Sequence, residues 1–213
     1  MTKLILVRHG ESEANELGLF AGHLDVNLTE RGLKQAELTA EYIVSHYVVD
    51  KVYASDLKRA YNTGKAVAEK AGVPIIPRQD LREIGAGDWD GKRFDDLDKL
   101  YPEDFEVWYR DLPHARCTNG EAVAEVANRV YRAMVEIAQE NGGKSVVLAS
   151  HATPIRTALA MIQPQKLDAM DTLGWVPNAS VTFLSYEDGR WTTELVGMAD
   201  HLAELKTVLP ANV

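Results

Sequence analysis

Two histidines in this chain stand in the same setting, each directly behind a short apolar run. Leu4-Ile5-Leu6-Val7 leads into Arg8-His9-Gly10, and Ser145 to Ala149 leads into Ser150-His151. Runs this short and this apolar read as strands buried on both faces, so each histidine is delivered where a strand stops at a polar edge. A neutral imidazole is a nucleophile, and a neighbouring guanidinium disfavours its protonated form. His9 beside Arg8 is therefore a candidate to attack an electrophilic centre at neutral pH. A phosphoryl group in transfer spreads negative charge over its peripheral oxygens, and fixed cationic donors stabilise that charge, arginine forks above all. Arg8, Arg59 and, when protonated, His151 would supply it. Such a set requires no metal, and no paired Cys or His-x-x-x-His spacing offers one. Neither a metal nor another cofactor is expected.

The elements that must position these residues alternate. After the first strand, the apolar positions Leu33, Ala36, Leu38, Ala40 and Ile43 recur at helical spacing between Leu28 and His46, with Thr29 as N-cap. Val52-Tyr53-Ala54 reads as a second strand, followed by Ser55-Asp56 as cap and a helix over Leu57 to Lys70 that Gly72 and Pro74 close. Pro74 to Pro77 is extended, and the three glycines in the stretch from Glu83 to Gly91 mark an irregular loop. Residues 92–119 mix aromatics, charge and prolines and are assigned to a short helical insertion or lid. A helix over Glu121 to Gln139 with Val123, Val126, Val130, Met134 and Ile137 on one face precedes the strand that ends at His151, and Pro154 suits the first turn of the next helix. Val181 to Tyr186 and Trp191 to Val196 flank Glu187-Asp188-Gly189, a hairpin signal. The fold expected is α/β: a three-layer α/β/α arrangement with a mostly parallel central sheet, in one domain over 1–213. Ligands in such folds bind at the carboxyl ends of the strands, where both histidines fall.

Composition limits the partners. The 213 residues carry 23 Lys plus Arg against 32 Asp plus Glu, a formal net charge of −9 at pH 7. That surface argues against nucleic acid or an anionic membrane, both of which demand clustered cations. An anionic substrate must instead be held by a local pocket of cations. The apolar run at the N-terminus is too short for a signal-peptide core, no transmembrane span is present, and the single Cys117 has no disulfide partner, so the cytoplasm is the expected compartment. Cys117 reads as a plain thiol, and His23, His46, His114 and His201 as surface or structural histidines. Of these His114 stands closest to other cations, Arg110 and Arg116. The four tryptophans read as packing residues. A homodimer is left open.

Five blocks in order carry a resemblance. They are Val7-Arg8-His9-Gly10-Glu11-Ser12 with Asn15; Asp25 through Leu28-Thr29 to Gly32 and Gln35-Ala36; Ser55-Asp56-Leu57 with Arg59-Ala60 and Thr63; Leu81-Arg82-Glu83-Ile84 with Gly87-Asp88-Trp89 and Gly91; and Ser150-His151 with Ile155-Arg156. Together they closely resemble the histidine phosphatase superfamily, also called phosphoglycerate mutase-like, over about Leu4 to Leu202. The resemblance implies that His9 accepts the phosphoryl group, that Arg8, Arg59 and His151 clamp the phosphate, and that Glu83 is general acid and base. Glu11, Asp88 and Asp90 are its competitors for proton transfer. It places Asn15 on the phosphate, and Gly22 and Ala152 with it as substrate-binding positions. The chain departs from the family pattern at Ala21, at Ala152-Thr153 where Gly-Gly is usual, and at Ala122.

The segment Gly87-Asp88-Trp89 with Gly91 and the short insertion look like the phosphatase branch. The function expected is a metal-independent phosphatase acting on small phosphate monoesters through phosphorylated His9. The alternatives are a phosphoglycerate mutase, or a phospholigand-binding module without catalysis. Lys92, Arg93, Arg110, His114 and Arg116 are candidates for the far end of the substrate.

Overall fold

The alternation of apolar residues inside the first strand sorts the core into two faces. Leu4 and Leu6 pack with one cluster, Ile5 and Val7 with another, and all four are solvent-excluded. A strand sandwiched in this way needs helices on both sides. The computed structural model, which describes residues 1–207, shows that arrangement; the end of the domain expected over 1–213, residues 208–213, lies outside the described residues.

Six strands form one sheet: β1 (Thr2–Arg8), β2 (Lys51–Ser55), β3 (Ile75–Arg78), β4 (Ser145–Ser150), β5 (Val181–Glu187) and β6 (Arg190–Met198), in the order β3-β2-β4-β1-β5-β6. β3, β2, β4 and β1 run parallel, and β5 pairs antiparallel with both β1 and β6. The helices are α1 (Glu13–Leu17), α2 (Glu30–His46), α3 (Lys58–Ala71), α4 (Leu97–Leu100), α5 (Pro102–Arg110), α6 (Val123–Glu140) and α7 (Ala152–Met161). Ala40 and Ile43 of α2 and Val67 and Ala68 of α3 cover the face of Ile5, Val7 and Val147. Val126, Val130, Met134 and Ile137 of α6, with Ile155, Ala158 and Leu159 of α7, cover the face of Leu4, Leu6, Val146 and Leu148. The three-layer, mostly parallel α/β architecture expected from the sequence is the one observed.

Local signals explain most boundaries. Thr29 caps α2 by accepting from Gly32 N at 3.0 Å, and Gly72, left-handed at φ 68°, closes α3. Asp188 and Gly189, both with positive φ, turn β5 into β6. Proline is tolerated in β3 because that strand is the edge of the sheet. One expectation fails: Ser55-Asp56 does not cap α3, whose N-cap is Leu57 with no side-chain bond. Both side chains are engaged across the fold instead, Asp56 in a two-pronged pair with Arg82 at 2.6 Å and Ser55 with His151.

Residues 92–119 hold α4, α5 and two short 3-10 turns. An aromatic cluster ties them to the body: Trp108 of α5 meets Phe20 at 5.4 Å and Trp89 at 5.6 Å, edge on, and Phe20 stacks on Phe94 at 6.3 Å.

Leu148 lies at the centre of the sheet with no exposed surface. Leu148→Ala is expected to lower unfolding stability by about 2–5 kcal/mol, read as a shift in the urea midpoint with an unchanged slope.

Candidate active site

β1 and β4 pair in register from Lys3 opposite Ser145 to Arg8 opposite Ser150, so the residues that follow leave the sheet at the same level. His9 N donates to Ser150 O at 3.0 Å. The rings of His9 and His151 then stand edge to face with centroids 5.1 Å apart. Strand pairing alone thus produces the meeting of the two histidines.

The protonation state of His9 is set by its surroundings. Its Nδ1 lies 2.7 Å from Gly10 O, and a carbonyl only accepts, so Nδ1 carries the hydrogen and Nε2 the lone pair. Burial, then the charges of Arg59 and Arg8, hold its pKa well below the ordinary histidine value. Burial again, then Arg59, does the same for His151, which has no exposed surface. His151 Nε2 sits 2.8 Å from Ser55 Oγ, which accepts from Leu57 N at 3.3 Å. A serine hydroxyl has one proton to give. When it goes to Nε2, Nδ1 carries the imidazole hydrogen, and Nδ1 is buried without a partner.

Arg8 and Arg59 are both buried. Arg8 Nη1 donates to Val176 O at 2.6 Å, while its Nε is buried and unpartnered. Burial pushes the Arg8 pKa down to about 10, opposed by Glu83 and reinforced by Arg59, which leaves it charged at neutral pH. Arg59 at the start of α3 donates to the carbonyls of Leu24, Ala21 and Gly22 at 2.8–2.9 Å. Glu83 is 8 % exposed; its Oε1 accepts from Ile84 N at 2.9 Å, and Oε2 faces Thr153 N at 3.5 Å in the first turn of α7.

Arg8, His9, Asn15, Arg59, Glu83 and Ala152 line one cleft of about 330 Å³, joined by Asn178, Thr153 and several aromatic side chains. His151 packs behind His9 rather than on that surface. Gly22 is not a lining residue either: a Cβ there would come within 2.4 Å of Ile84 O, so glycine is needed for the close approach of the 21–24 segment to the loop of Glu83. Its carbonyl anchors Arg59. Among the competitors of Glu83, Glu11 lines the cleft but pairs with Arg31 and Thr29, Asp90 accepts from Gly22 N at 2.6 Å outside it, and Asp88 holds Asn119. None of Lys92, Arg93, Arg110, His114 and Arg116 lines the cleft; Arg116, for instance, is bonded to Gly120 O and Glu125.

Two positioning residues have no signal in the sequence. Arg129 of α6 donates to the carbonyls of Asp80, Arg82 and Glu83 and is held by both oxygens of Glu121 at 2.7 and 2.9 Å, fixing the loop that carries Glu83. Asn178 Nδ2 donates to His9 O and to Asn15 Oδ1, each at 3.1 Å. Trp108 and Trp175, expected only to pack, line the cleft.

An α/β fold that places a neutral histidine and two buried guanidiniums at the carboxyl ends of parallel strands defines a phosphoryl-transfer enzyme. The family model of the histidine phosphatase superfamily (branch 1) matches residues 4–199, and the chain belongs to that superfamily. It is 35% identical over 204 residues to phosphoserine phosphatase 1 of Hydrogenobacter thermophilus, covering 96% of each chain. Its fold is similar to that of Bacillus stearothermophilus YhfR, with a TM-score of 0.88 and 28% identity over 95% of this chain and 100% of that one. It is also similar to mycobacterial glucosyl-3-phosphoglycerate phosphatase solved with VO3, with a TM-score of 0.84 and 30% identity over 92% and 98% of the two chains. The protein is a phosphatase of this superfamily, and the mutase alternative is not favoured.

Both site histidines have folded-state pKa values below their unfolded ones, so below about pH 6.5 the unfolded chain binds more protons than the folded one. Stability is therefore fully present above about pH 6.5 and falls as pH is lowered through that value. Urea midpoints at pH 7.5, 6.5 and 5.5 are expected to drop on the acid side, and less steeply in the His9→Gln/His151→Gln double variant.

Proposed function

We propose that the protein hydrolyses small phosphate monoesters in two steps on His9. In the first, the Nε2 lone pair attacks phosphorus, the bond from phosphorus to the ester oxygen breaks, and the departing alkoxide takes a proton from Glu83. In the second, water attacks the phosphorylated imidazole while Glu83 accepts its proton; inorganic phosphate leaves and neutral His9 is restored. Arg8 and Arg59 face the charge that builds on the peripheral oxygens, fixed in place by backbone carbonyls so that little reorganisation accompanies the reaction.

The observation that carries this reading is the lone pair of buried His9, directed by the bond from Nδ1 to Gly10 O and kept unprotonated by burial and two guanidiniums. The unpartnered Nε of Arg8 supports it, because a buried donor without an acceptor is costly and an anion supplies one. Asn15, with its Oδ1 already accepting from Ser12 and Asn178, offers its amide hydrogens to the phosphate. The reading carries a small-molecule partner rather than nucleic acid or a membrane surface, in keeping with the net charge of −9, and a cytoplasmic setting. Among the described residues no helix is long and apolar enough to cross a membrane.

Phosphate release from p-nitrophenyl phosphate should persist in excess chelator. His9→Ala should lower it by about a thousandfold or more while the far-UV spectrum stays unchanged. Glu83→Gln should slow alkyl phosphates by about a hundredfold but p-nitrophenyl phosphate far less, since that leaving group needs no proton. Equal slowing of the two would remove Glu83 from the acid role.

A further inference from the structure

Beyond the phosphate clamp the cleft changes character. Its far wall is built from Leu19, Phe20, Phe94, Trp108 and Trp175. Among the described residues its only cationic lining groups are Arg8 and Arg59, both at the phosphate end, where Glu83 faces them; Glu11, also lining, is paired with Arg31. A second anion on the substrate would meet no cation of its own and would lose its hydration against aromatic rings, an unfavourable exchange. The cations around the wall are engaged elsewhere: Arg93 donates to Leu17 O, and in the adjoining cavity that shares Phe94, Trp108 and Trp175, Arg110 pairs with Glu106 while Arg156 lies 4.5 Å from the centroid of the Trp175 ring and donates to Met170 O.

The wall is also rigidly joined to the clamp. Trp175 immediately precedes Val176, whose carbonyl takes Arg8 Nη1, and Arg156 braces the indole from a second cavity that it lines while not lining the cleft. Trp108 and Phe20 are locked edge to face, with Phe94 stacked on Phe20. Preorganised aromatic surface of this kind favours a flat apolar group, because little ordering is left to be done on binding.

We infer that the preferred ester carries a neutral, flat apolar group, an aromatic ring, on its leaving alcohol, and that Trp175 and Phe94 select for it over the carboxylate of a phosphorylated acid. This rests on the phosphatase reading of the same cleft.

Ethyl phosphate, phenethyl phosphate and O-phosphoserine all leave as alkoxides and differ in what they offer the wall. Phenethyl phosphate is expected to exceed both others in kcat/KM by about tenfold or more, mostly through a lower KM. Trp175→Leu should cut that advantage to less than about threefold, with Phe94→Leu as the second variant should the first fail to fold. Calorimetric binding of the same three esters to His9→Ala should show the same order, which tests the wall even where no ester is turned over. A preference for O-phosphoserine or 3-phosphoglycerate, or a ring preference unchanged in both wall variants, overturns the inference. If p-nitrophenyl phosphate is hydrolysed in either of those cases, the phosphatase reading stands and the wall alone fails. Ring preference in binding without any phosphate release sinks the phosphatase reading instead.

Discussion

The parallel pairing of β1 with β4 is the interaction on which the site depends. Both strands are buried on two faces and are held in register along their length, so Arg8 and Ser150 end the ladder side by side and His9 and His151 leave it together. A slip of one residue would send every side chain to the opposite face, moving Leu4 and Leu6 off the α6 and α7 side of the core. The hydrophobic core therefore enforces the position of the reactive ring at no extra cost, because the register that buries the apolar residues is the register that joins the histidines.

Once that corner is buried, electrostatics constrains the rest. Two guanidiniums removed from water need acceptors, and backbone carbonyls supply them: Val176 for Arg8, and Ala21, Gly22 and Leu24 for Arg59. These bonds explain why the 21–24 segment lies against the Glu83 loop and why only glycine fits at Gly22. Burial, reinforced by the same cations, keeps His9 and His151 neutral. Arg129 performs a parallel task one layer out, gathering the carbonyls of Asp80, Arg82 and Glu83 while Glu121 balances its charge.

The insertion contributes surface rather than charge. Its arginines and His114 point to local partners such as Glu106, Glu125 and Asp111, whereas its aromatic residues Phe94 and Trp108 join Phe20 and Trp175 around the cleft. The phosphate end and the far end of the site are thus built by different physics, fixed cations at one and packed rings at the other.

Much of this was legible in the sequence. Continuous apolar runs ending in Arg8-His9 and Ser150-His151, helical spacing in α2 and α6, and the Glu187-Asp188-Gly189 turn are local signals, and local signals give strands, helices, layers and the strand-end placement of the histidines. The family blocks singled out Arg59, Glu83 and Asn15. What the sequence could not assign was any role that depends on which distant group a side chain meets. Ser55 looked like a helix cap and instead bonds His151, Arg129 carries no signal in the sequence and yet holds the Glu83 loop, and Trp108 and Trp175 looked like packing residues although they line the cleft. The physical reason is range: backbone conformation and burial follow from neighbours along the chain, whereas a hydrogen bond across 46 residues, as between Arg129 and Glu83, exists only after the sheet and its covering helices have closed.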